Sequence, residues 1–199
     1  MGENPMDETM GNQQATREEI AWLAGLWDGE GSIGVRTNIK IHQVSPRIAV
    51  YNSNTIIINK AIEILEKMGL KPYVSIKNDG VGRFPGSKKD VYQVQIGTYK
   101  GAKPFLDQMI PFLVGKKSNA QLLLRFVDSR LRFDRSQSNR DKAYNEQEVG
   151  MIEAIYKQNG DQRGTSQTIR DALLNRQSIR SSRLRRSDDI VGPCVKAHG

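Results

Sequence analysis

The chain has 199 residues, 37% of them hydrophobic, a formal charge of +8 and one cysteine, Cys194. That apolar content suffices for one packed domain, while the lone cysteine excludes an internal disulfide and a cysteine-based zinc site and points to a reducing compartment. The positive balance favours a polyanionic partner, nucleic acid before membrane, because no apolar run approaches spanning length and no basic amphipathic helix of lipid-binding type is present.

Residues 1–15 have little to bury and are expected to be disordered, and the acidic first nineteen residues argue against a secretory signal or an Arg-rich transit peptide. Thr16-Arg17-Glu18-Glu19 reads as a capping box that starts a helix running to about Asp28. Ile20, Leu23, Ala24 and Trp27 form its apolar stripe, and Gly29 and Gly31 bracket its end, with Glu30 at the foot. Gly25 inside a helix costs roughly 1 kcal/mol relative to alanine. With Ala21 it makes a small-residue strip that invites close approach of a second helix. Asp28 and Glu30 lie where a helix end disfavours negative charge, which calls for a cation.

From Ser32 to His42 the period switches to two. Ile33, Val35, Ile39 and Ile41 should point inward, and Ser32, Arg36, Asn38, Lys40 and His42 outward. A turn is expected at Ser45-Pro46, followed by a strand with Ile48 and Val50 inward and Arg47 and Tyr51 outward. Asn54 should cap a helix closed by Gly69. Residues 72–77 and 91–96 read as a second hairpin, with Val74, Ile76, Tyr92, Val94 and Ile96 inward and Ser75, Lys77, Gln93 and Gln95 outward. Its loop, 78–89, carries three cations. Helices are expected at about 101–110, 115–131, 146–158 and 166–175, the third after a polar linker at 132–144. The segment 176–199 is Arg-rich and reads as a flexible basic tail that adds non-specific affinity for nucleic acid.

The run Leu23-Ala24-Gly25-Leu26-Trp27-Asp28-Gly29-Glu30-Gly31 resembles the signature of the LAGLIDADG homing endonucleases. Leu23, Ala24, Gly25, Leu26, Asp28 and Gly31 match the consensus, whereas Trp27 replaces an aliphatic residue, Gly29 a small one and Glu30 an aspartate. The segment Pro111-Phe112-Leu113-Val114-Gly115-Lys116 looks like the Pro-Phe-Leu-x-x-Lys of the chloroplast-type, single-motif homodimeric members, and Thr165 to Arg170 looks like their C-terminal helix start. The resemblance spans about residues 16–175 and implies an α+β fold with an α-β-β-α-β-β-α core and a saddle-shaped antiparallel sheet. Only one motif is present, so the second half of the site must come from a second copy of the chain.

The same resemblance implies a site-specific DNA endonuclease that makes double-strand breaks in a long pseudo-palindromic target and so promotes intron mobility. Glu30 would take the metal-binding acid position with the Gly29 carbonyl beside it, and Asp28 would be mainly structural. The cation is expected to be Mg²⁺, with Mn²⁺ as substitute. Lys116 corresponds to a lysine near the scissile phosphate, with Lys117 as fallback, and Asn52 to a polar residue that orders water. Where relatives carry an arginine this chain has Ile56 and Ile57. Ala21, Ala24, Gly25 and Asp28 are expected at the dimer interface. Ser32, Arg36, Asn38, Lys40, His42, Arg47, Tyr51, Ser75, Lys77, Gln93 and Gln95 are expected to contact DNA, since a two-stranded ribbon fits the major groove. Only His42 and His198 exist, neither in metal-ligand spacing, which disfavours an HNH or zinc nuclease. Two other roles suit the same fold: an RNA-splicing maturase that binds its intron, or a regulator that binds DNA without cutting. An organelle location would follow if the gene is organelle-encoded, and a cytoplasmic one otherwise.

Overall fold

A computed structural model describes residues 14–77, 90–132, 143–161 and 167–174. The expectations for the N-terminal segment, the 78–89 loop, most of the polar linker, Thr165 and the Arg-rich tail lie outside these residues. The described elements are α1 (Arg17–Glu30), β1 (Gly31–Asn38), β2 (Gln43–Asn52), α2 (Thr55–Lys67), β3 (Tyr73–Lys77), β4 (Val91–Ile96), α3 (Tyr99–Met109), α4 (Lys117–Leu131), α5 (Glu146–Gln158) and α6 (Gln167–Leu174). The strands form one antiparallel sheet in the order β1-β2-β4-β3, and the α-β-β-α-β-β-α order read from the sequence holds.

Strand register sorts the sheet into two chemically different faces. Ile33 pairs with Ile48 and Ile48 with Ile96, while Val50 pairs with Val94. These residues are buried against Leu23 and Trp27 of α1, Ile58 and Ile64 of α2, Phe105 of α3 and Phe126 of α4. The opposite parity carries Ser32, Arg36, Asn38, Gln43, Ser45, Arg47, Tyr51, Tyr73, Ser75, Gln93 and Gln95. All but Gln93 of this polar row are partly or fully exposed. Val74 and Ile76 have the inward parity but remain 41% and 56% exposed, because β3 is an edge strand.

The first hairpin departs from the sequence reading. The alternation Ile39-Lys40-Ile41-His42 mimics a strand, yet β1 ends at Asn38, which pairs with Gln43. Residues Ile39–Ile41 form a 3-10 turn, His42 takes the left-handed conformation at φ 48°, and Ile39 and Ile41 are exposed. Ser45 and Pro46 lie inside β2 rather than in the turn. Pro46 is tolerated there because β4 pairs with β2 only from Ile48 onward, so one side of β2 makes no ladder at Pro46. No glycine or asparagine marks the left-handed position; His42 is held instead by donating from Nδ1 to the Ala172 carbonyl of α6 at 2.5 Å.

The free edge of β1 is closed by α5. The Thr37 amide donates to Tyr156 Oη at 3.1 Å, and Asn159 Nδ2 donates to the Ile33 carbonyl at 3.2 Å. Covering an edge in this way removes an unpaired row of backbone groups. A Cβ at Gly34 would lie 2.8 Å from Asn159 Nδ2 and push this amide aside. The start of α5 is fixed by a capping box from Asn145 and Glu148 and by a buried ion pair, with Arg130 Nη1 3.1 Å from Glu148 Oε2. Ser129 Oγ also donates to Glu148 at 2.8 Å, and the Arg130 guanidinium lies 4.4 Å over the Tyr144 ring.

The capping box of α1 does a second job. Glu19 accepts from the Thr16 amide at 3.0 Å and also pairs with Lys67 at 2.8 Å and Lys60 at 3.3 Å, tying α1 to α2. The hydrogen bond from the Lys67 ammonium, with the Thr16 amide, holds the Glu19 carboxyl down to about 2 from its ordinary 4.5. A depressed carboxyl stabilises the fold above its unfolded value and loses that contribution as pH falls through its folded value. Glu19→Gln is therefore expected to flatten the pH dependence of urea-unfolding stability between pH 4.5 and about 2, with little change in the slope at neutral pH.

Candidate acidic site and nucleic-acid interface

The site is built at the C-terminal end of α1, where the last helical carbonyls have no helical donor. Gly31 follows at φ −87°, a conformation open to any residue, so its requirement is one of space. A Cβ at Gly31 would lie 2.6 Å from Trp27 Cδ1 and 2.7 Å from the Trp27 carbonyl oxygen. That absence of a side chain lets β1 leave the helix directly over Trp27, which packs at 5.2 Å on Phe105.

Asp28 and Lys116 interlock. The Asp28 carboxylate accepts from the Val114 amide at 2.7 Å and the Lys116 amide at 2.8 Å. In return the Lys116 ammonium donates to the Trp27 carbonyl at 2.9 Å and to the Asp28 carbonyl. Burial pushes the Asp28 carboxyl up, but the amides of Val114, Lys116 and Gly115 outweigh it and the net direction is down. α4 begins at Lys117 with no side-chain cap of its own, so Asp28 serves it from another element, and Lys116 places a cation where α1 carries partial negative charge. Lys116 thus supports the helix end, and the neighbouring Lys117 is exposed.

Glu30 and Gly29 are left exposed at this foot, and a Cβ at Gly29 would meet nothing within 4 Å. The pairing of Gly31 with Val50 sets Glu30 beside the end of β2, where Asn52 lies. Asn52 has the inward parity, opposite Tyr92, and its Oδ1 accepts from the Asn54 amide at 2.8 Å, opening the turn into α2. Among the described residues no group of three or more His, Cys, Asp and Glu side chains converges on one point.

Along α1, Ala21 and Gly25 are exposed, and a Cβ on Gly25 would meet nothing within 4 Å. Ala24 is fully buried in its own chain, and Asp28 turns to the 114–116 segment, so neither belongs to the open strip. On the polar sheet face, Arg36, Arg47, Tyr51, Gln93 and Gln95 line a shallow basin. Arg47 Nη2 donates to Tyr51 Oη at 3.1 Å, and neither Arg36 nor Arg47 has a carboxylate partner among the described residues. Asn38 and Lys40 are exposed at the hairpin tip, and Ser32 Oγ donates to the Ala49 carbonyl at 3.4 Å. His42 is drawn off this face by its bond to α6. The backbone of Lys77 pairs with Val91 at the end of β3. Gln43, Ser45 and Tyr73 also share the outward face and were not singled out from sequence; the register alone reveals them.

Residues 17–109 match the family model of the LAGLIDADG-like domain. The solved structures that resemble the chain include the homing endonuclease I-CvuI in complex with its target in the presence of 2 mM Ca, at 17% identity and a TM-score of 0.51, covering 80% of this chain and 95% of that one. The same enzyme bound to the I-CreI target in 2 mM Mg, with the DNA not cleaved, gives 18% identity and a TM-score of 0.52 over 81% and 96% of the two chains. The archaeal intron-encoded homing endonuclease I-Vdi141I in complex with DNA gives 15% and 0.52 over 71% and 84%. No curated protein matches by sequence. The chain carries a LAGLIDADG-like domain and has the LAGLIDADG homing endonuclease fold, with α4 to α6 following the matched segment.

Asp28→Asn keeps the shape but turns an N–H pair toward amides that need an acceptor. It is expected to cost about 1–3 kcal/mol in urea unfolding. The wild-type contribution should be present above the ordinary carboxyl value of 3.8 and decline as pH falls below it.

Proposed function

We propose that the chain is a site-specific DNA endonuclease that works as a homodimer on a long pseudo-palindromic duplex, making double-strand breaks that promote intron mobility. The observation that carries this reading is a single exposed acid, Glu30, at the foot of a helix whose exposed flank is the open strip of Ala21 and Gly25. One chain offers one carboxylate, whereas two strands need two. Packing α1 against α1 of a second copy brings the two Glu30 residues to the same two-fold axis, beneath the polar sheet faces that read the flanking duplex. DNA complexes of similar fold, I-CvuI and I-Vdi141I, support duplex DNA as the partner.

The donor set fits a hard divalent cation such as Mg²⁺ or Mn²⁺. Mg²⁺ typically takes one or two protein carboxylates and completes its shell with phosphate oxygens and water. Glu30 and the Gly29 carbonyl would hold it. When bound, such a cation lowers the pKa of a water and neutralises charge on the phosphodiester. The chain's own residues have simpler tasks: Asp28 and Lys116 fix the helix end, Glu30 projects from it, and Arg36 and Arg47 supply positive charge to the DNA backbone and base edges. Lys116 acts in this scheme as a positioning residue, and Asn52 sets the turn beside the site.

The test is cleavage of a randomised duplex library in Mg²⁺ by wild type and by Glu30→Gln, with gel-shift binding on the same DNA. Wild type is expected to cut a defined site, and Glu30→Gln to bind it while cutting at least ~100-fold more slowly, since the lost stabilisation is worth several kcal/mol. Sequence-specific binding with no cutting by either protein, in Mg²⁺ or Mn²⁺, would favour the regulator. Failure to bind DNA would turn attention to intron RNA.

The dimer is tested separately. Because a Cβ at Gly25 meets nothing within 4 Å among the described residues, Gly25→Leu should leave the circular-dichroism spectrum of the folded chain intact. Sedimentation should then report a monomer, and double-strand cleavage should be lost.

A further inference from the structure

Gln93 is the anomaly of the polar sheet face. Every other polar side chain of that row is at least partly exposed, yet Gln93 is only 5% exposed although it points the same way as Arg47, Tyr51 and Gln95. A buried amide needs partners, and Gln93 has two on the adjacent strand positions. Ser75 Oγ donates to its Oε1 at 3.5 Å, and its Nε2 donates to Gln95 Oε1 at 2.6 Å. Gly97 leaves room beside Gln95, since a Cβ there would lie 3.0 Å from Gln95 Nε2 and crowd the amide.

We infer that Gln93 does not read DNA but is a positioning residue that fixes Gln95 for reading one base pair in each half-site. This rests on the DNA-binding role proposed above. A free glutamine on a strand samples many rotamers and must lose that freedom on binding. Gln95 is held by the Gln93 amide before DNA arrives. Its Oε1 keeps a second lone pair and its Nε2 two N–H donors. That donor and acceptor set matches the N7 and N6 edge of adenine in the major groove.

The experiment uses full-length protein and the preferred site recovered from the duplex library, with each position of one half-site varied through all four bases. Relative cleavage and binding are measured for wild type, Gln93→Met, Gln95→Ala and the double variant. Methionine keeps the length and packing of Gln93 and removes the relay. Wild type should prefer adenine at one position by roughly ten- to a hundredfold. Gln93→Met should lose most of that preference there, through weaker binding and slower cleavage of the adenine site, and keep the preferences at every other position. Because Gln93 acts through Gln95, the double variant should be no worse than Gln95→Ala alone. Gln93→Glu, which can accept from Ser75 but has no N–H for Gln95, should behave like Gln93→Met.

Unchanged discrimination by Gln93→Met, a uniform loss at every position, additivity with Gln95→Ala, or a Gln95-dependent preference for another base would each overturn the proposal. Such results would leave the endonuclease reading intact. A wild type that binds no DNA would remove both.

Discussion

The reciprocal clasp between Asp28 and Lys116 is the constraint on which the site depends. A helix that ends at a functional acid leaves bare carbonyls around that acid, and a second helix that begins nearby leaves bare amides. Here one pair of residues serves both ends. The Asp28 carboxylate takes the amides ahead of α4, and the Lys116 ammonium takes the carbonyls at the end of α1. Because each residue contributes both backbone and side chain, α1 cannot shift relative to α4 without breaking several charge-assisted bonds at once. The foot of α1 is therefore fixed where Glu30 projects, and Glu30 stands exposed beside the clasp.

The sheet repeats this division of labour at larger scale. Its inner face is closed by α1 to α4, its β1 edge by Tyr156 and Asn159 of α5, and its hairpin tip by the bond from His42 to α6. What stays open is a polar face whose two arginines have no carboxylate partner among the described residues, and a strip of small residues along α1. The function proposed above puts a duplex on the first and a second copy of the chain on the other.

Much of this was legible in the sequence because local chemistry decided it. The Thr16 to Glu19 capping box, the apolar stripe of α1, the Asn54 cap and the alternation in β4 are each fixed by residues a few positions apart, and each formed as read. The nine-residue motif pointed to the fold through its resemblance to the LAGLIDADG signature, and the strand order agrees. The first hairpin misled because Ile39-Lys40-Ile41-His42 alternates like a strand, while the pairing that ends β1 at Asn38 is chosen by Gln43 and by the burial of Val44.

By itself the sequence determined the order of elements, the position of the acid and the presence of one motif per chain. It could not decide which polar residues are free to act. That Lys116 is bound to the end of α1, that His42 is tied to α6, that Ala24 faces its own core and that Gln93 is buried beside Gln95 are all outcomes of long-range packing. A side chain's availability depends on which atoms from distant segments reach it first. Only the tertiary structure brings those atoms within hydrogen-bonding range.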